Sequence, residues 1–189
     1  STITGGDGNG VGSKGGNGVT STGNTKMTNA GTIRGGKNAN GSRADAVNFS
    51  GGGNQLTLLK GYSFVGNVIG SANSDILVLG GNTNATFAAS NLVTTSPTSW
   101  SGTVRYYGFT EFTKTGTSTW TLTGTTAVVT PWTISAGAFS VSSDGNLGDT
   151  SGGLLLNGGT LEVTGTAFTT TPRAITLGSA GGGFDIADA

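Results

Sequence analysis

Two chemically busy residues are missing from this chain: it has no cysteine and no histidine among its 189 residues. Without cysteine there are no disulfides, thiolate nucleophiles or Cys-type zinc sites, and without histidine the commonest general base and metal ligand is gone. No charge of either sign is in excess, since nine basic and nine acidic side chains give a formal net charge of zero. Recognition of nucleic acid, or of an anionic membrane, would need a basic surplus that is not there. No apolar run approaches the roughly 20 residues that span a bilayer, and no basic-then-apolar signal segment opens the sequence. The chain starts at Ser1 rather than Met, as expected of a piece of a longer protein.

What is abundant is glycine, with 37 residues beside a 33% hydrophobic fraction, and the glycines punctuate a pattern. In "TSTWTLTG", Trp120 and Leu122 alternate with Thr119, Thr121 and Thr123. That is the period of a strand with one buried and one wet face, and threonine, β-branched and polar, suits the wet one. The shape returns in "SAGAFSVSS" (Phe139, Val141), "NGGTLEVTG" (Leu161, Val163) and "GGGFDIAD" (Phe184, Ile186). Trp120, Phe139, Leu161 and Phe184 thus recur at about 20-residue spacing, the signature of a repeat. Each copy follows a glycine turn and a shorter strand: "FTEFTK", "WTIS", "LLLN" and "AITLG".

The first third repeats with a period near 30 residues. "TITGG", "TIRGG" and "SFVGN" give Ile3, Ile33 and Phe64 equivalent places. A second apolar strand follows in each unit, read as "GVTSTG", "AVNFSG" and "ILVLGG", and "TKMTNAG" and "LTLLKGY" close the first two units. The extra length sits at one corner, Gly5 to Asn17 and Gly35 to Asp45, for which the third unit has Gly66 to Asp75.

Short strands, glycine corners and no helical pattern leave a sandwich, a propeller or a parallel β-helix. A propeller blade needs roughly 40 residues, and a sandwich has no reason to place like residues at like corners every 20 to 30. In a solenoid, equivalent side chains stack on the next turn about 4.8 Å away and the core becomes a column. The expectation is an all-β, right-handed parallel β-helix of roughly eight or nine turns, a rod on the order of 40 Å long. Three stretches make one domain: glycine-rich turns over 1–83, an irregular turn or insertion over 84–108, and the shorter repeats over 109–189.

"FTEFTKTGTSTWTLTGT", "WTISAGAFSVSSDGNLG", "GGLLLNGGTLEV" and "RAITLGSAGGGFDIAD" resemble the passenger-associated strand repeats of Gram-negative autotransporters over Phe109 to Asp188. The resemblance implies a β-helical passenger segment, carried across the outer membrane by a C-terminal barrel absent from this sequence and shown at the bacterial surface. Members of that family include adhesins, self-associating proteins, proteases and esterases. One departure is Gly183-Phe184, where the family often has a β-branched residue before the acid.

Motifs that carry chemistry are weak. "GVGSKG" (Gly10 to Gly15) fits a dinucleotide fingerprint, and "GTIRGGKN" (Gly31 to Asn38) fits a P-loop except at Asn38, but neither joins a strand to a helix. "GGDGNG" and "GGNGVT" are similar to calcium-binding nonapeptide turns, yet the sixth place holds Gly10 and Thr20 instead of aspartate. Of the carboxylates, Asp45 and Asp75 form the best stacked pair, with an Asx-type corner turn as the simpler reading. Glu162 and Asp185 fall at equivalent outward places. Trp100, Tyr106 and Tyr107 are either an aromatic sugar-binding shelf or packing for the irregular turn.

No catalytic, metal or cofactor site is therefore expected. The function expected is presentation by a stiff rod: adhesion to a host cell surface, a matrix component or another copy of the protein, without nucleic acid and without membrane insertion by this segment. The rivals are a β-helical carbohydrate-active enzyme and a passive stalk. The two corner insertions are expected to project as adjacent, flexible loops from one edge, the usual place for recognition on a rigid scaffold.

Overall fold

A computed structural model describes residues 1–187. The first nine strands come in threes: β1 (Thr2–Thr4), β2 (Val19–Ser21) and β3 (Lys26–Asn29); β4 (Thr32–Arg34), β5 (Val47–Phe49) and β6 (Gln55–Leu58); β7 (Ser63–Val65), β8 (Val68–Ile69) and β9 (Ile76–Leu79). A fourth passage holds β10 (Ala85–Ala88), β11 (Tyr106–Tyr107) and β12 (Glu111–Lys114). Thereafter they come in pairs: β13 (Thr119–Thr123) and β14 (Trp132–Ile134); β15 (Ala138–Val141) and β16 (Leu154–Leu156); β17 (Thr160–Val163) and β18 (Ile175–Leu177); then β19 (Gly183–Ile186). The corner insertions, not the number of strands, set the longer period: Leu56 and Leu77 are register partners across a three-strand passage without an insertion, and they already stand about 20 residues apart.

Every pairing between these strands is parallel, and they form four sheets, ordered β1-β4-β7, β2-β5-β8-β11, β3-β6-β9-β12-β14-β16-β18 and β10-β13-β15-β17-β19. The chain thus returns to its seven-stranded sheet on each of seven passages. At the usual strand spacing that sheet is about 30 Å across, shorter than the 40 Å expected from sequence.

Registers place like residues on like. Ile3, Ile33 and Phe64 are partners, and so are Trp120, Phe139, Leu161 and Phe184. The seven-stranded sheet carries Met27, Leu56, Leu77, Phe112, Trp132, Leu154 and Ile175 in one row. Trp132 joins two sheets, its ring lying 5.1 Å from Phe112 in its own and 4.7 Å, edge to face, from Phe139 opposite. Each fully buried side chain of this size contributes about 1.5–3 kcal/mol, and such aromatic pairs add about 1 more. The expected ladder is buried at Trp120, Phe139 and Leu161 but not at Phe184, which is 49% exposed. β19 has a neighbour on one side only, so Phe184 is covered from one side only.

Two assignments are corrected. The second strand of the third unit is β8, Val68–Ile69, in register with Val47–Asn48. Ile76–Leu79, expected there, instead pairs with Gln55–Leu58 as the third strand. The error arises because a two-residue strand carries no periodicity to read. The corner equivalent to the two insertions is accordingly Gly66–Asn67 alone, not Gly66 to Asp75. Within 84–108, β10 is regular and pairs with β13. The excursion is confined to 93–105, after the short 3-10 turn Ala89–Asn91.

Candidate functional site

The insertions between β1 and β2 and between β4 and β5 lie one on the other, as the sequence predicts, and main-chain bonds tie them together. Gly36 N–H donates to Gly16 O (2.8 Å), Gly8 N–H to Lys37 O (2.8 Å) and Ala39 N–H to Ser13 O (3.0 Å), while Gly16 N–H to Gly6 O (2.8 Å) closes the first loop on itself. Side chains add to this: Gly15 N–H donates to Asn38 Oδ1 at 2.7 Å, and Lys37 N–H to Asp7 Oδ1 at 2.7 Å. Such close backbone approach explains the composition. A Cβ on Gly36 would collide with the carbonyl of Gly6, so only glycine fits. The loop bases are therefore held by hydrogen bonds, while the tip of the first loop, at Val11, stands fully open to solvent.

A third segment completes the corner. The 93–105 excursion brings Pro97, Thr98 and Ser99 against the loops and closes a cleft of about 860 Å³. Its charged lining is Lys14, Arg43 and Asp45, and its amides include Asn38 and Asn40. Arg43 is braced from two sides: Nη1 donates to Gly35 O at 2.5 Å, and the guanidinium carbon lies 5.8 Å from the centre of the Trp100 ring. Burial raises the Asp45 carboxyl above its ordinary value, while hydrogen bonds from Asn48 and Asn67 oppose that rise. Beside the wall, Trp100 Nε1 is buried without an acceptor among the described residues.

The other candidates separate. Asp45 precedes β5 and Asp75 precedes β9, in different sheets, so they are not a stacked pair. Asp75 is fully buried and accepts from Asn54 N–H (2.8 Å), Asn54 Nδ2 (2.9 Å) and Ser71 N–H (2.6 Å), a turn-stabilising role. Glu162 and Asp185 are register partners as expected. Asp144 pairs with Arg173, Nε to Oδ1 at 3.2 Å, and hydrogen bonds from Ser151 lower the Asp149 carboxyl. Asp188 lies outside the described residues. Among the described residues no three acidic side chains gather into a metal cage. The two glycine motifs lie on β4 and in the corner loops, with no helix after them. Tyr106 is core, its ring 6.0 Å from Phe64 and 5.2 Å from Phe87, whereas Trp100 stands at the cleft, so the aromatic trio is not one shelf.

Sequence reasoning missed the share of Pro97–Ser99 in this corner, because a stretch of serine, threonine and proline has no period to place it. It also missed two buried cations. Lys114, fully buried, donates to the carbonyls of Thr115 (2.9 Å), Gly116 (2.9 Å) and Ala136 (3.1 Å). Arg173 donates to the carbonyls of Gly148 (2.9 Å), Asp149 (3.0 Å) and Gly152. Both satisfy main-chain acceptors where the chain turns, so neither is free for chemistry. Compared with protein-family models, curated proteins and solved structures, the chain matches none.

Proposed function

We propose that the four parallel sheets wind as a right-handed parallel β-helix, and that the chain is a passenger segment of a surface-displayed, autotransporter-type protein. Its work is presentation without catalysis: a stiff scaffold that sets the stacked corner loops before a host cell, a matrix component or a second copy. The observation that carries this reading is the corner itself. Two long insertions and a third, sequence-distant excursion converge on one edge of an otherwise repetitive body. A passive stalk has no need of such convergence. The likeness of Phe109 to Asp188 to passenger-associated repeats supports the secretion route and the bacterial surface as the place of action.

The test replaces the two connections that hold the insertions, 5–18 between β1 and β2 and 35–46 between β4 and β5, by the two-residue Gly66–Asn67 connection that joins β7 to β8. Thermal unfolding and binding to cells, matrix and sister bacteria are then compared with the parent. The adhesive-edge reading requires intact folding with reduced binding. Unchanged binding refutes it and moves the adhesive surface to the threonine-rich strand faces.

A further inference from the structure

We propose that the corner cleft is a binding site for a carboxylate-bearing glycan, with Arg43 and Lys14 taking the acid and the amides and hydroxyls of the opposite walls taking the sugar hydroxyls. This deepens the adhesive-edge reading and rests on it for its biological meaning. The cleft, at about 860 Å³, falls within the roughly 300–1,000 Å³ of small-ligand sites. Its lining is polar in the manner sugars require. Asn9, Asn17, Asn38 and Asn40 stand around it, each amide able both to donate and to accept. Gly8, Gly10, Gly12 and Gly15 of the first loop bring backbone groups to the wall, and Val11, Ala39 and Pro97 offer small apolar faces for the C–H side of a pyranose ring.

Charge selects among sugars. The chain as a whole is neutral, but this cleft holds two cations, Lys14 and Arg43, against one carboxylate, Asp45. Arg43 is the better anchor, because its brace against Gly35 O and Trp100 fixes the plane of the fork before any ligand arrives. A guanidinium has five N–H donors in fixed geometry, so one bond to Gly35 leaves several for a planar carboxylate. Preorganised in this way, it loses little side-chain entropy on binding. Lys14 is exposed on the neighbouring loop and adds a mobile point charge. A phosphate or sulfate ester would find charge here too, but the single planar fork among amides is matched to a carboxylate.

Calorimetry on the chain as it stands, with trigalacturonate, 3′-sialyllactose and neutral maltotriose as probes, decides the matter. Binding of an acidic probe but not of maltotriose is expected, weakening as salt is added. The acidic probe that binds tells a uronate from a sialate. Arg43→Gln and Lys14→Gln should each lower affinity about tenfold; since Lys14 is exposed, its variant serves even if Arg43→Gln disturbs the corner. Failure of both acidic probes, equal binding of maltotriose, or affinity untouched by both variants overturns the proposal. Measured beside the loop-shortened variant, the two ideas fail separately. Cell binding that depends on the loops without acidic-glycan binding sinks this proposal alone, and glycan binding with loop-independent adhesion sinks the adhesive-edge reading alone.

Discussion

Lys114 occupies the row that Leu79 and Ile134 fill on the adjacent strands, so an ammonium stands in an apolar column. It is tolerated because its three N–H groups meet three carbonyls at the glycine corner. Burial pushes its pKa down from 10.5 to about 8. Between those values the unfolded chain holds a proton that the folded chain has released, so this residue's contribution to stability increases as pH rises through the window and is lost as pH falls through about 8. Lys114→Met leaves three acceptors without donors and is expected to cost about 1–3 kcal/mol near neutral pH. Denaturant titrations at several pH values should show the parent's advantage over Lys114→Met growing between pH 8 and 10.5. A constant or shrinking advantage would mean that burial does not govern this group. Its place was legible in "FTEFTK", where Phe112 points in, Thr113 out and Lys114 in again. Its role was not, because alternation shows which face a side chain takes and says nothing of the carbonyls that a turn gathers around it.

At the scale of the strand, register was the most readable property, since a one-residue slip would turn every apolar side chain of a row to the wrong face. Ile3 with Ile33 and Phe64 could be paired from sequence because each stands just before a glycine corner at the same offset, and Trp120 with Phe139 and Leu161 because each opens the same alternating apolar and polar run after a glycine turn. Position within the row could not be read in the same way. Leu161 lies between Phe139 and Phe184 and is 2% exposed, whereas Phe184 has one neighbour and is half open. Leu161→Asp, which puts an unpaired carboxylate in the column, is expected to cost about 4 kcal/mol, and Phe184→Asp about 1. Equal losses in the two unfolding curves would show that these residues do not share one row. The stacking of the two corner insertions was legible by the same logic. The main-chain bonds between them were hidden, because composition suggests looseness wherever glycine is dense, while here glycine is what lets two backbones touch.

For the molecule as a whole, the all-β parallel character followed from period alone, but the convergence at the corner did not, because 93–105 has no pattern that places it beside residues 80 positions earlier in the chain. The same parallel order has a mechanical meaning. Each ladder between the described strands joins a passage only to the one before or the one after, as Leu161 is joined to Phe139 and Phe184, so the sheets are a file of neighbours, although side-chain contacts such as Arg43 with Trp100 and Phe49 with Phe109 reach across a passage. Under tension applied at its two termini, such a file has no single bond set whose rupture releases everything. A single-molecule stretching record should therefore show a series of small yields, each lengthening the chain by one passage, with the longest steps from the passages that hold the two corner insertions and the 93–105 excursion. One abrupt release of the full length would contradict the nearest-neighbour order. That order would make the molecule a shock absorber, dissipating a pull in instalments while the part still standing keeps its fold.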